Sequence, residues 1–193
     1  MLKKLIGTAL ALALAASPST AEPASKVESV DPVAFASNPL VLSEVLLAQP
    51  VFVPSSTPAD YANILRGDLG ESVALTAQLA LPATAAAPFA AVIIVPGSGG
   101  VGTHHIVQMR MLVESGFAVL VIDPFTARGI SETISDQGPL PLSASAYDVL
   151  AATKFLRSRN ALDPARSGVL GASRGGTGAL MAVSKPVSEA LLG

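Results

Sequence analysis

Cysteine is absent from the 193-residue chain, and with it go disulfides, thiol catalysis, cysteine-ligated metal and lipid attachment at cysteine. Charge is scarce. Twelve Lys and Arg stand against 14 Asp and Glu, a net charge of −2, and no basic run lies outside the extreme N-terminus; that balance excludes the electrostatic footprint of a nucleic-acid binder. Histidine is confined to the adjacent pair His104 and His105. On a helix such neighbours point about 100° apart, so at most one can face a given cleft, and the pair cannot chelate a metal from one helical face. Neither metal nor cofactor is expected. An internal period of solenoid length is also missing.

Half of the residues are hydrophobic, enough to fill the core of one domain with an N-terminal appendage. Residues 1–21 read as a secretory signal. Lys3 and Lys4 form a positive start, Leu5 to Ala16 an apolar stretch, and Ser19-Thr20-Ala21 a small-residue cleavage site. The apolar stretch is shorter than the ~20 residues that span a bilayer. Cleavage after Ala21 and export, to the medium or a periplasm, are therefore expected, with no membrane association afterwards. A core of this size needs no disulfide staples outside the cytoplasm.

Residues 22–71 read as a linker or extension, rich in Ala, Ser, Pro and Glu at first; Val41 to Ala48 suits either a short strand or a helical turn, and Val51 to Val53 an edge strand between prolines. Residues 72–193 form the expected domain. In Ser72 to Leu81 apolar residues alternate with the period of a half-buried strand. From Phe89 the pattern changes to continuous apolar runs separated by helices, the mark of a parallel sheet covered on both faces. The expected strands are Ala91 to Val95, Phe117 to Ile122 and Gly168 to Gly171; the expected helices are Thr103 to Ser115, Ser143 to Arg159 and Arg174 to Ser184, the last ended by Pro186. Arg128 to Leu142 is a polar excursion at the carboxyl end of the second parallel strand, where open α/β sheets place their clefts. The expected class is α/β: a mostly parallel sheet flanked by helices, with an N-terminal antiparallel element.

Between the last strand and its helix lies Gly171-Ala172-Ser173-Arg174-Gly175, which fits G-x-S-x-G. The pattern calls for a serine at the tip of a sharp strand-to-helix turn, with glycines where a side chain would strike neighbouring backbone. Ser173 is the candidate nucleophile. The alternative is an ordinary turn with a capping serine.

A second glycine loop, Gly97-Ser98-Gly99-Gly100-Val101-Gly102, follows the first parallel strand and supports two uses. As G-x-G-x-x-G it would bind the pyrophosphate of NAD(P) through Gly97, Gly99 and Gly102, with Asp123 about 20 residues on holding a ribose hydroxyl. As an oxyanion loop it would supply a donor from Ser98 or Gly99 to complement the amide of Arg174, the residue after the nucleophile. The second use accounts for both loops at once. Asp123 and Asp148 otherwise read as a strand-end turn and a solvated helix residue.

Residues 92–100 (Val-Ile-Ile-Val-Pro-Gly-Ser-Gly-Gly), 119–129 (Val-Leu-Val-Ile-Asp-Pro-Phe-Thr-Ala-Arg-Gly) and 163–176 (Asp-Pro-Ala-Arg-Ser-Gly-Val-Leu-Gly-Ala-Ser-Arg-Gly-Gly) together resemble the dienelactone hydrolase-related branch of the α/β-hydrolases. The resemblance covers about residues 72–185. It implies hydrolysis of small carboxylic esters or lactones through an acyl-serine intermediate, with Ser173 attacking and the amides of Arg174, Ser98 and Gly99 holding the oxyanion. Three departures stand out. Pro96 replaces the family's histidine before the oxyanion glycine, and Ser173 stands where dienelactone hydrolases proper carry cysteine. The family's acid and histidine follow the nucleophile, whereas only twenty residues follow Ser173 here, with Glu189 and no histidine. The expectation is the N-terminal part of a longer hydrolase, with an open sheet edge, poor solubility and little or no turnover of its own. A non-catalytic exported binding module on the same frame is the alternative of a different class.

Overall fold

The computed structural model describes residues 48–83 and 85–192. The signal-type N-terminus and the stretch to residue 47 lie outside the described residues. Five strands form one sheet in the order β1-β2-β4-β3-β5: β1 Gln49–Thr57, β2 Glu71–Ala80, β3 Phe89–Val95, β4 Ala118–Asp123 and β5 Leu162–Gly171. β2 runs antiparallel to both β1 and β4, while β3 is parallel to β4 and β5. Four strands therefore share one direction, and the antiparallel element sits at the N-terminal side, as the alternation in β2 implied.

The helices are α1 Tyr61–Arg66, α2 Thr103–Glu114, α3 Leu142–Arg157, α4 Arg174–Ala182 and α5 Lys185–Leu192. Alternate residues of the apolar strands feed two separate cores. Ile93, Val95, Leu120 and Ile122 join Leu75 and Leu79 of β2 against α3, with Ile64 of α1 and Val187 of α5. Ile94, Val119 and Val121 point the other way, onto Ile106 and Met109 of α2. This two-sided burial is why β3 and β4 read as unbroken apolar runs.

Two elements extend beyond what their sequences suggest. The edge strand expected at Val51 to Val53 spans nine residues, from Gln49 to Thr57; its Pro50 and Pro54 are tolerated because, among the described residues, β1 pairs on one side only, with β2. The sheet thus begins ahead of residue 72. At the other end, α4 stops at Ala182 and Pro186 falls in the first turn of a further helix, α5, where a missing N–H costs nothing. Gly178 of α4 lies so close to α3 that a Cβ there would stand 3.0 Å from Ser145. The small residues of α4 let the two helices pack nearly flush.

Candidate active site

Register places the site. Val95, the last residue of β3, pairs with Gly171, the last of β5, so Pro96-Gly97 and Ala172-Ser173 leave the sheet side by side. At Ser173 the backbone takes φ 51° and ψ −122°, and it is the one non-glycine residue with positive φ among the described residues. Such a conformation costs about 1–3 kcal/mol and turns the strand abruptly into α4. The flanking glycines are required by contact. A Cβ on Gly175 would lie 2.4 Å from the Val95 carbonyl oxygen and 2.5 Å from that of Pro96, and one on Gly171 would lie 2.5 Å from Gly175 backbone.

Ser173 is exposed at the tip of this bend. It shares a cleft of about 620 Å³ with Gly97, Ser98, Gly99, Gly100, the start of α2 and Ile134. Gly97 comes nearest to the serine: a Cβ there would stand 3.3 Å from the Ala172 carbonyl and 3.5 Å from the Ser173 Cβ. The amide groups of Ser98 and Gly99 donate to no protein acceptor among the described residues, and that of Arg174, the first residue of α4, has no partner within its helix. All three backbone donors are thus uncommitted, on loops that flank one hydroxyl.

The order of the strands, a strained serine between β5 and α4, and a glycine turn after β3 form one pattern, and residues 103–187, somewhat under half of the chain, match the family model of the prolyl oligopeptidase family. The chain has the α/β-hydrolase fold. No curated protein matches its sequence. Similar solved structures include esterase 2 of Thermogutta terrifontis (16% identity over 68% of this chain and 45% of that one, TM-score 0.48). A dienelactone hydrolase-like promiscuous phosphotriesterase from metagenomic libraries (16%, 70% and 53%, TM-score 0.47) and dipeptidyl peptidase 4 of Porphyromonas gingivalis (17%, 72% and 19%, TM-score 0.47) are also similar. The chain spans about half the length of the first two and a fifth of the third.

On this α/β-hydrolase frame the long loop from Gly129 to Pro141 is tied to both glycine turns. Arg174, 5% exposed, sends its guanidinium away from the cleft to the Leu140 carbonyl (2.6 Å), the Gln137 carbonyl (2.8 Å) and Gln137 Oε1 (2.8 and 3.0 Å). Gln137 Nε2 donates in turn to Ser98 Oγ (3.0 Å) and to the Thr133 carbonyl, and the Thr133 amide donates to the Ser98 carbonyl (2.8 Å). One glutamine thereby joins the residue after Ser173 to the oxyanion-type turn. Sequence reasoning marked the excursion but neither Gln137 nor Ile134 within it, because a loop residue clamped by tertiary bonds carries no local signature.

Both histidines line the cleft, which corrects the expectation that at most one would. Their ring centroids lie 3.8 Å apart, with the planes tilted by 42°. His104 is exposed; His105 is buried, and its Nδ1 accepts the Gly102 amide at 2.9 Å. That bond is one half of a capping box at the start of α2; Gly102, having no side chain, cannot supply the other half. Burial, then the neighbouring His104, lowers the His105 pKa to about 4, so the ring is neutral with its proton on Nε2 and its one lone pair already used. No hydrogen bond joins either imidazole to Ser173 among the described residues.

The depressed pKa fixes a sign. Unfolded, His105 takes a proton near its ordinary 6.5; folded, it resists until about 4. The stabilisation it gives is complete above the unfolded value and is lost as pH falls through that window. Urea unfolding of wild type and His105→Ala at neutral and mildly acid pH should show the smaller acid loss in the variant; equal losses would contradict the assignment.

Three remaining candidates lie elsewhere. Asp123 occupies the strand-end turn: Oδ1 accepts the Phe125 and Thr126 amides at 2.9 and 3.2 Å, and Oδ2 accepts the Thr126 hydroxyl. Both oxygens are taken and the residue is buried, so a nucleotide reading loses its ribose ligand, while Ile134 covers the space above Gly99. Asp148 is not a solvated helix residue. It is fully buried and pairs with Arg128 at 2.8 and 2.9 Å, with the Ser55 hydroxyl on Oδ1. Glu189 sits on α5 in an exposed pairing with Lys185. Among the described residues no three His, Cys, Asp or Glu side chains gather as metal ligands, and no helix is long and apolar enough to cross a membrane.

Proposed function

We propose that this chain carries the nucleophile and oxyanion elements of a serine hydrolase acting on small carboxylic esters or lactones. The observation that carries the reading is the backbone of Ser173, held at positive φ beside the Gly97 turn. In the reaction, Ser173 Oγ forms a bond to the acyl carbon and the hydroxyl proton passes to a base. The carbonyl oxygen, negative in the tetrahedral intermediate, is met by the amides of Arg174 and of Ser98 or Gly99. The intermediate collapses with cleavage of the acyl–oxygen bond, and the alcohol leaves protonated. Water then attacks the acyl-serine and releases the acid.

Among the described residues no base is seated at Ser173. His105 has committed its lone pair to Gly102, and no carboxylate or imidazole bonds the serine among the described residues. Without that partner the hydroxyl keeps ordinary reactivity, and only the weak catalysis of an oxyanion hole remains. The 193-residue protein should therefore turn over esters feebly. A fluorophosphonate probe tests this directly. We expect slow labelling that quickens at alkaline pH, maps to Ser173 and disappears in Ser173→Ala. Rapid labelling at neutral pH would overturn the missing-base reading. A purely non-catalytic binding module predicts no Ser173 adduct under any of these conditions.

A further inference from the structure

We infer that Ile134 is a specificity-determining residue that selects substrates with an apolar acyl chain. The inference rests on the ester-hydrolase reading of the same cleft and adds the class of acyl group. Ile134 lies in the Gly129–Pro141 loop, is 70% exposed, and lines the cleft together with Ser173 and the Gly97–Gly100 turn. Its Cδ1 stands 3.3 Å from the position a Cβ on Gly99 would take. The side chain thus overhangs one of the two loops that flank the nucleophile.

Single exposed hydrophobic residues are common and need no explanation. Ile134 differs because the surrounding loop is built to hold it there. Glu132 accepts the Ile134 amide, the Ser135 amide at 3.1 Å and the Ser135 hydroxyl at 2.8 Å, closing a turn with Ile134 within it. On either side the loop is fixed by Thr133 to Ser98 and by Gln137 to both Ser98 and Arg174. A butyl-sized face held over Gly99 offers contact to methylenes extending from an acyl carbon at Ser173. An acetyl group has no methylene to make that contact. The other described residues of the lining are four glycines and small, hydroxyl or imidazole side chains, so Ile134 is the one large aliphatic side chain among them.

The test compares ethyl hexanoate with ethyl acetate by NMR titration of the full chain, following isoleucine δ1-methyl and backbone amide signals. Ethyl hexanoate should bind about tenfold more tightly than ethyl acetate, within the range that added methylenes give in an apolar site. It should also move the Ile134 methyl, and Ile134→Asn should bring the ratio close to one without loss of the native spectrum. If the amides of Ser98, Gly99 and Ser173 respond but the ratio survives Ile134→Asn, the inference fails and the esterase reading stands. If neither ester moves those amides, both fail together. An Ile134→Leu variant that keeps the preference would confirm that apolar surface is what counts.

Discussion

Gly175→Ala is expected to cost about 4 kcal/mol or more, at the far end of what single substitutions do, because its one added carbon has nowhere to go. The Cβ would enter at 2.4 Å from the Val95 oxygen, 2.5 Å from the Pro96 oxygen and 2.9 Å from the Val95 carbonyl carbon. These are backbone atoms at the end of a central strand, not the tip of a flexible side chain, so relief requires moving β3 or α4. Gly171→Ala meets the same obstacle from the other side, 2.5 Å from the Gly175 carbonyl. Gly168, three residues earlier in β5, has no atom within 4 Å of its would-be Cβ, and Gly168→Ala should fall within about 0.5 kcal/mol of wild type. Equilibrium urea unfolding of the three variants decides the matter. Equal stabilities for Gly168→Ala and Gly175→Ala would mean that the bend is looser than described, and the steric case for G-x-S-x-G here would go with it.

Arg128→Met should cost about 3–5 kcal/mol, the usual loss when one partner of a buried ion pair is removed. Arg128 binds Asp148 through both terminal nitrogens and also donates to Thr57 Oγ1 and to the Ser56 and Pro124 carbonyls. It therefore ties β1 and the end of β4 to α3, beneath the loop that carries Ile134. Burial pushes the Asp148 carboxyl up, and Arg128 and Ser55 oppose that rise. With the guanidinium gone, burial acts against a single hydroxyl, and the folded variant holds a proton that its unfolded chain releases. Its stability then falls as pH rises above the ordinary aspartate range, so the deficit against wild type should widen from mildly acid to neutral pH. The double variant Arg128→Met/Asp148→Leu should recover much of the loss, since an apolar pair leaves no unpaired charge. A deficit that is flat with pH, or a double variant no better than the single, would refute this account.

The parts of the fold legible in the sequence were those written in local periodicity. β3 and β4 announced themselves as apolar runs because both faces are covered, and the bend at Ser173 was readable because only glycine fits where Gly171 and Gly175 stand. β1 was half legible: its prolines, harmless on an edge, look like breaks to any pattern based on pairing from two sides. Asp148 was misread because an acid on a helix resembles a solvated one until its partner, twenty residues earlier, is brought to it by the fold. The role of His105 was hidden for a related reason. A capping box is recognised by a hydroxyl at its first position and Glu or Gln at its fourth, whereas this one joins a glycine amide to an imidazole. Gln137 and Ile134 became meaningful only when the loop was folded over the two glycine turns.

Among the described residues β5 is bonded along one side, to β3 alone, and at its end stands Ser173. A strand laddered on one flank yields more readily to local opening than one held on both, so the stiffness of the bend, and the aim of its hydroxyl, is shared with whatever comes to lie against the outer flank. Deuterium uptake along residues 163–170 would register that occupancy before any substrate was added. Steadying the nucleophile and zipping up the sheet are here a single event.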